Sequence, residues 1–547
     1  MSGAIDQFPE QTLPALLARV SREHASRPAL WFAGRSWTYA EFAELVQRTA
    51  AGLRAVGLAP GDRVGLFLPN SPYFVVFYYA VLAAGGVVVN FNPLYVAPEI
   101  ARQMSDAEVR FMVSLDLRRL LGELVAAKAE RIVVCPLSGI LPPLRALLFR
   151  LFKGKERARL DRPSFLPFAS LLRKGEPLPF SEPDPAGLAL LQYTGGTTGI
   201  PKAAMLSHAN LVANVRQALA AAPYLTPGRE RVLALLPLFH VLGMSVVMNT
   251  AVAVGAELLL LPRFDIDALM DTLAKRRPTI FPLVPTICAA VSRAARERGI
   301  DLSSVHTCFS GAAPLPAEVL NEFQSLTGCE IIEGYGLTET SGIATANPAR
   351  GKKKINSVGL PARDTVIEIR DPEAPHRLLG PGEKGEVCIR GPQVMMGYWR
   401  RPDENAQIFV EGALRTGDVG YLDEEGYLFL VDRLKDVIIS GGYNVYPRLI
   451  EEVLYRHPAV AEAAVIGLPD PYRGEIAKAV IVLRPGMTVS EEALREFLSG
   501  EISPLEMPKL FEFRTDLPKT AIGKINKRAL REEHTAPAPL EEPAVHG

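Results

Sequence analysis

Tyr193-Thr194-Gly195-Gly196-Thr197-Thr198-Gly199-Ile200-Pro201-Lys202 packs three glycines, three threonines and a lysine into ten residues, directly after the apolar run Leu188-Ala189-Leu190-Leu191. The run reads as a buried strand and the stretch as the loop that leaves it. Glycines let successive backbone N–H groups turn toward one point, threonine hydroxyls add donors, and the lysine adds positive charge. Together they make a cradle for a polyphosphate. No Gly-Lys-[Ser/Thr] follows four residues after a glycine, so the loop is not of the Walker type. The competing reading is a surface turn, which leaves both the lysine and the density of donors unexplained.

The 547 residues are too many for one hydrophobic core, so at least two domains are expected. With 48% apolar and 22% charged residues, the composition is that of a globular protein. Lysine plus arginine (60) equals aspartate plus glutamate (60), so no net field argues for nucleic acid as a partner. The five cysteines are scattered and form no CxxC pair, which points to a reducing, cytoplasmic setting without a zinc site or disulfide framework. Met1 to Leu13 has neither the basic head nor the apolar centre of a secretory signal. The long apolar run Phe74 to Val89 is too short to span a bilayer and reads as a buried helix followed by a strand.

Strand-like runs alternate with amphipathic stretches along most of the chain, the pattern of an α/β fold with parallel-rich sheets flanked by helices. Strands are expected at Arg63–Leu68, Arg131–Cys135, Ala256–Leu261 and Thr279–Val284. Between Lys384 and Leu430 the rhythm becomes short strands with glycine turns, including the hairpin signal Asp423-Glu424-Glu425-Gly426, and a small β-barrel or meander is expected there. After Arg433 a smaller α+β unit begins, with a helix from Tyr446 to Leu454, strands near 460–466 and 479–483, and a helix from Ser490 to Leu498. The expected domains are 1–433 and 434–534, followed by a disordered Pro/Ala/Glu-rich tail over 535–547. One segment, Leu141 to Arg162, mixes leucines and phenylalanines with six or more basic residues. It reads as a helix lying on an anionic membrane surface, peripheral to its inner face, or as a surface helix whose basic side chains snorkel.

Four further segments join the glycine–threonine loop in carrying a family resemblance: Gly334-Tyr335-Gly336-Leu337-Thr338-Glu339-Thr340, Arg415-Thr416-Gly417-Asp418, Asp432 to Pro447, and Pro518 to Ile525. In order and spacing the chain resembles the adenylate-forming acyl-CoA synthetases, from about Thr38 to Leu530. The finer likeness, on Val87–Tyr95, Pro237-Leu238-Phe239-His240 and Val431–Asp436, is to bacterial medium- and long-chain fatty acid–CoA ligases. The resemblance implies a ligase with fatty acid, ATP and coenzyme A as substrates and Mg²⁺ as cofactor. A carboxylate attacks the α-phosphate to give acyl-AMP and pyrophosphate, and the thiol then displaces AMP. It also implies that 434–534 is a mobile lid, and a homodimer is compatible with it.

Residue by residue, the resemblance assigns the β- and γ-phosphates to Thr194, Gly195, Gly196, Thr197, Thr198, Gly199 and Lys202. Glu339 becomes the Mg²⁺ ligand, with Thr338 near the α-phosphate. Tyr335 stacks on adenine, and Gly311 and Ala312 wall the base, flanked by Gly334 and Gly336. Asp418 takes the ribose hydroxyls, supported by Arg433. Lys524 is the catalytic lysine of adenylation, whereas Lys519 is a solvated charge. Lys435 is the hinge, and Gly441 and Gly442 lie close to the pantetheine tunnel. His240 stands beside an acyl pocket that Gly243 and Gly336 widen. A peptide-synthetase adenylation domain would need an acidic residue near His240, and Phe239 to Val247 contains none. A luciferase-like oxygenase would carry a lysine at Gly441.

Overall fold

The apolar run ahead of the glycine–threonine loop is the strand Leu188–Thr194, next to last in a seven-stranded sheet. The strand order is Phe165–Pro167, Ile132–Cys135, Val109–Leu115, Arg63–Phe67, Val87–Asn90, Leu188–Thr194 and Lys202–Ser207. All pairs are parallel except the last, where the chain returns antiparallel and sets Thr194 opposite Lys202. The computed structural model describes residues 6–180, 182–194, 201–283, 285–311, 317–440, 443–520 and 524–535.

A second sheet orders Arg35–Thr38, Pro28–Phe32, Glu257–Leu260 and Arg231–Ala234. It continues through parallel bridges at Ile280 to Thr307–Ser310 and Glu330–Tyr335. The strand expected at Thr279–Val284 is reduced to single bridges at Ile280 and Leu283. Pro282 lies between them and has no N–H to give to a ladder, which explains the interruption.

The run from Phe74 becomes the helix Pro72–Ala83 and then the strand Val87–Asn90. Ser71 caps the helix through the Phe74 N–H, Pro72 opens it, and Gly85 at φ +76° turns the chain after it. All twelve helix residues are buried, so it has no polar face and belongs to the core between the sheets.

Val366–Arg370, Gly385–Arg390, Ala413–Leu422 and Phe409–Val410 are neighbours in that order, and Leu428–Arg433 pairs with Ala413–Leu422. The expected barrel or meander is therefore a five-stranded sheet. Its hairpin turns at Gly426, φ +82°. The last sheet orders Tyr443–Val445, Ile438–Ser440, Gly474–Leu483 and Val460–Asp470, with Leu510–Arg514 on Gly474–Leu483. Helices Pro447–Tyr455 and Glu491–Ser499 bury Ile450, Leu454, Leu494 and Leu498 against its face.

The chain forms two compact units. The first is Met1–Glu368 with Cys388–Arg415 and Gly426–Leu428; the second is Ile369–Val387, Thr416–Glu425 and Phe429–Gly547. The expected boundary at 433/434 falls inside the second unit. No helix among the described residues is long and apolar enough to cross a membrane.

Candidate active site

In the first unit, the mouth of the hairpin that bears the glycine–threonine loop is closed by Thr194, whose hydroxyl donates to the Lys202 carbonyl at 3.5 Å. Gly195, Gly196, Thr197, Thr198 and Gly199 lie outside the described residues, as do Ala312, Gly441, Gly442 and the tail 536–547. The Lys202 ammonium is 3.2 Å from a Glu404 carboxylate oxygen and 5.6 Å from the centre of the Tyr398 ring. Tyr398 in turn donates its hydroxyl to Glu339 Oε1 at 2.7 Å. Burial, and then the Glu339 charge, push the Tyr398 phenol upward, so it remains a proton donor to the carboxylate. Lys202 and Glu339, far apart in sequence, thus stand on either side of one tyrosine.

Tyr398 is placed by backbone pairing alongside the strand Lys202–Ser207. Trp399 N–H donates to Ala203 at 2.8 Å and Met396 N–H to Met205 at 2.9 Å. Nothing in the hydrophobic periodicity marks Tyr398. Its one sequence signal is Gly397, at φ +130°, directly before two aromatic residues.

Glu339 sits in the single 3₁₀ turn Thr338–Thr340, just after the strand Glu330–Tyr335. The turn is closed by Leu337 N–H donating to Thr340 Oγ1 at 2.9 Å and by Ser341 at φ +57°. A Cβ on Gly336 would collide with the Gly342 backbone carbonyl, and one on Gly243 with the Pro237 carbonyl. Both glycines therefore serve close backbone packing. Gly334 is held more loosely, since a Cβ there would stand 3.0 Å from the Thr345 carbonyl oxygen, and one on Gly311 would meet only the Gly334 carbonyl at 3.5 Å. Tyr335 is half-buried at the strand end, opposite Thr345.

Buried Asn214 supports this turn from behind. Its amide donates to the carbonyls of Ile343 (3.0 Å) and Thr340 (3.4 Å), and its oxygen accepts from Ser245 Oγ at 3.3 Å. Ser245 lies in Leu242–Asn249, a π-helical segment, a rare geometry frequent at functional sites. His240 stands just before that segment, half-buried, its Nδ1 accepting from Leu242 N–H at 3.3 Å. A polar chain runs beside it: Asn90 donates to Gln192 at 2.9 Å, and Gln192 donates to the Phe239 carbonyl at 3.0 Å.

In the second unit, Asp418 is buried on the strand Ala413–Leu422 and paired with Arg433, Nε to Oδ1 3.1 Å. The backbone just before it in the strand is fixed by Gly417 at φ +70°, by Thr416 Oγ1 donating to Val387 O at 2.7 Å, and by Gly417 N–H donating to Glu386 at 3.1 Å. Lys524 belongs to the same unit, its carbonyl accepting from Thr520 N–H at 2.7 Å. Burial, then repulsion from Arg433, bring the Lys524 ammonium down to about 8 against the opposing pull of Asp418. Asp418, Arg433 and Lys524 are thus brought together. Lys519, expected to be solvated, is instead paired with Glu462 at 2.5 Å.

The chain is anchored three residues on from Lys524. Lys527 reaches half-buried Glu451 at 2.7 Å, and Glu451 also accepts from Val465 N–H at 2.6 Å. Asp432 caps the helix Pro447–Tyr455 by accepting from Arg448 N–H at 2.8 Å. Lys435 lies in the 3₁₀ turn Leu434–Asp436, whose Asp436 is paired with Arg531 at 3.0 Å. Sequence reasoning misses Asn214, Tyr398, Glu451 and Lys527, whose roles depend on partners distant in the chain.

Two family models match: one described as AMP-binding enzyme over residues 17–399, and one as AMP-binding enzyme C-terminal domain over 449–524. A long-chain-fatty-acid–CoA ligase of Bacillus subtilis (strain 168) is 41% identical over 538 residues, covering 96% of this chain and 95% of that protein. A long-chain-fatty-acid–CoA ligase of Escherichia coli O157:H7 is 36% identical over 535 residues, covering 96% and 94%. The crystal structure of ATP-bound MatB from Rhodopseudomonas palustris superposes with a TM-score of 0.84 at 31% identity, covering 96% of this chain and 99% of that one.

Proposed function

The chain belongs to the AMP-binding enzyme family, and from that premise we propose that it ligates a long-chain fatty acid to coenzyme A at the expense of ATP, through an acyl-adenylate. The observation that carries this reading is the near-full-length likeness to long-chain-fatty-acid–CoA ligases.

Adenylation gathers negative charge on the phosphate oxygens as the carboxylate attacks, so preorganised cations and donors lower its barrier. We assign Lys202, with the loop it closes, to the leaving pyrophosphate side. Asp418 accepts the ribose hydroxyls while Arg433 holds its carboxylate in place. Lys524 bridges the carboxylate and α-phosphate oxygens. Among the described residues no group of three or more His, Cys, Asp or Glu could hold a metal by itself. A single carboxylate suits Mg²⁺, which keeps water and phosphate ligands and takes only one or two protein carboxylates. Glu339 is the carboxylate we assign to it, with Tyr398 fixing one oxygen so that the other points the charge outward. Mg²⁺ bound there would neutralise charge on the phosphate oxygens.

The second half-reaction needs the thiol where Lys524 stood. We assign that exchange to rotation of the C-terminal segment about Lys435, which occupies a lone turn between two strands.

The test is pyrophosphate release with saturated acids of graded chain length, followed by acyl-CoA formation with coenzyme A added. Release that rises with chain length supports the assignment. Activity confined to short or aromatic acids would overturn the substrate class, and no release with any carboxylate would overturn the enzyme.

A further inference from the structure

The helix Pro143–Phe152 is built inside out. Leu144, Leu147, Leu148 and Leu151 recur at the i, i+3, i+4, i+7 spacing that normally turns to the core, and Phe152 extends the stripe. Here the stripe faces outward: Leu144 is 69% exposed, Leu147 52%, Leu151 67% and Phe152 78%. Ala146 is the one buried residue of the helix.

The orientation is fixed by polar anchors on the two flanks of the stripe. Arg145 donates to the Ala33 carbonyl at 2.8 Å and Arg150 to Ser138 Oγ at 3.3 Å. Just beyond the helix, Arg157 is paired with buried Asp116 at 2.9 Å, and Ala158 N–H donates to the Asp116 carbonyl at 2.9 Å. A rotation that buried the leucines would break these bonds. The apolar stripe is therefore held in water by the rest of the fold.

Charge says what covers it. Leu141 to Arg162 carries seven basic residues against two acidic ones, a net +5, in a chain whose total is zero. Among the described residues, the side chains of Lys155, Arg159 and Arg162 have no hydrogen-bond or ion-pair partner. A ten-residue helix is about 15 Å long, and one face of it falls well short of the roughly 800 Å² per partner of a stable protein interface. A bilayer needs no matching partner surface, and its anionic headgroups complement the basic flank.

We propose that Pro143–Phe152 docks the chain on an anionic phospholipid surface, with the leucine–phenylalanine stripe entering the acyl boundary. Lys153, Lys155, Arg159 and Arg162 meet the headgroups.

Flotation of the full chain with phosphatidylcholine vesicles, with and without phosphatidylglycerol, tests this. Co-flotation with the anionic vesicles at low salt is expected, with release at high salt. Leu147→Glu with Leu151→Glu is expected to weaken binding by at least ~10-fold. Lys155→Gln, Arg159→Gln and Arg162→Gln together, which remove no internal contact, are expected to do the same by about 10-fold. Both variants should retain acyl-CoA formation from a water-soluble short acid, which separates docking from folding and from catalysis. Absence of wild-type binding to anionic vesicles, or equal binding by either variant, would overturn the proposal. So would a wild-type dimer that the Leu147/Leu151 variant converts to monomer without vesicle binding, since a second copy would then be the occupant.

Discussion

At the scale of single residues, Lys524 carries the most direct consequence. Burial beside Arg433 loosens its proton, so the group is charged below about 8 and neutral above it. Adenylation as assigned here uses the charged form, so kcat/KM for ATP, which reports the free enzyme, should fall as pH rises through about 8. Lys524→Arg, charged at all accessible pH, should lower the rate but push that alkaline limb upward. Lys524→Ala should reduce pyrophosphate release on the order of 10²–10³-fold. A wild-type profile flat to well above pH 9 would separate Lys524 from the step. Lys524, Asp418 and Arg433 were legible because each sits in a short motif. Tyr398 and Lys527 were not, because what distinguishes them is a partner across space: Glu339 for one, Glu451 for the other.

At the scale of elements, the turn bearing Glu339 depends on backbones meeting where no side chain fits. Gly336→Ala would drive a methyl into the Gly342 carbonyl, and overpacking of this kind costs about 1–3 kcal/mol. Urea unfolding should show a lower midpoint at unchanged slope. Gly311→Ala meets only an ordinary contact at 3.5 Å, so its unfolding should stay near wild type. If Gly311 walls the adenine, its KM for ATP should rise. The elements themselves were readable where apolar runs were uninterrupted, as in Ile132–Cys135 and Glu257–Leu260. They were misread where one residue vetoes the ladder, as Pro282 does. The spacing in Pro143–Phe152 announced a helix, but periodicity says which residues share a face and not which way that face points. Arg145 and Arg150, through Ala33 and Ser138, decide that.

At the scale of the whole molecule, the two half-reactions are expected to separate at Lys435. It occupies the first turn of Leu434–Asp436, where a proline needs no N–H partner, so Lys435→Pro should fold while fixing φ. Pyrophosphate release from acid and ATP should stay within about 3-fold of wild type, and thioester formation from acyl-adenylate should fall by at least ~10-fold. Equal loss of both would remove the hinge. The helix Pro72–Ala83 has no face that tolerates water, and two of its tyrosines meet Asn249, Tyr79 hydroxyl to Oδ1 at 3.1 Å and Nδ2 to Tyr78 hydroxyl at 3.2 Å. A ribosome must add roughly 170 residues beyond the helix before Asn249 exists, on the order of 8–30 s of translation. For that interval the most apolar segment of the protein is a nascent-chain liability, which makes it the natural place for a chaperone to hold.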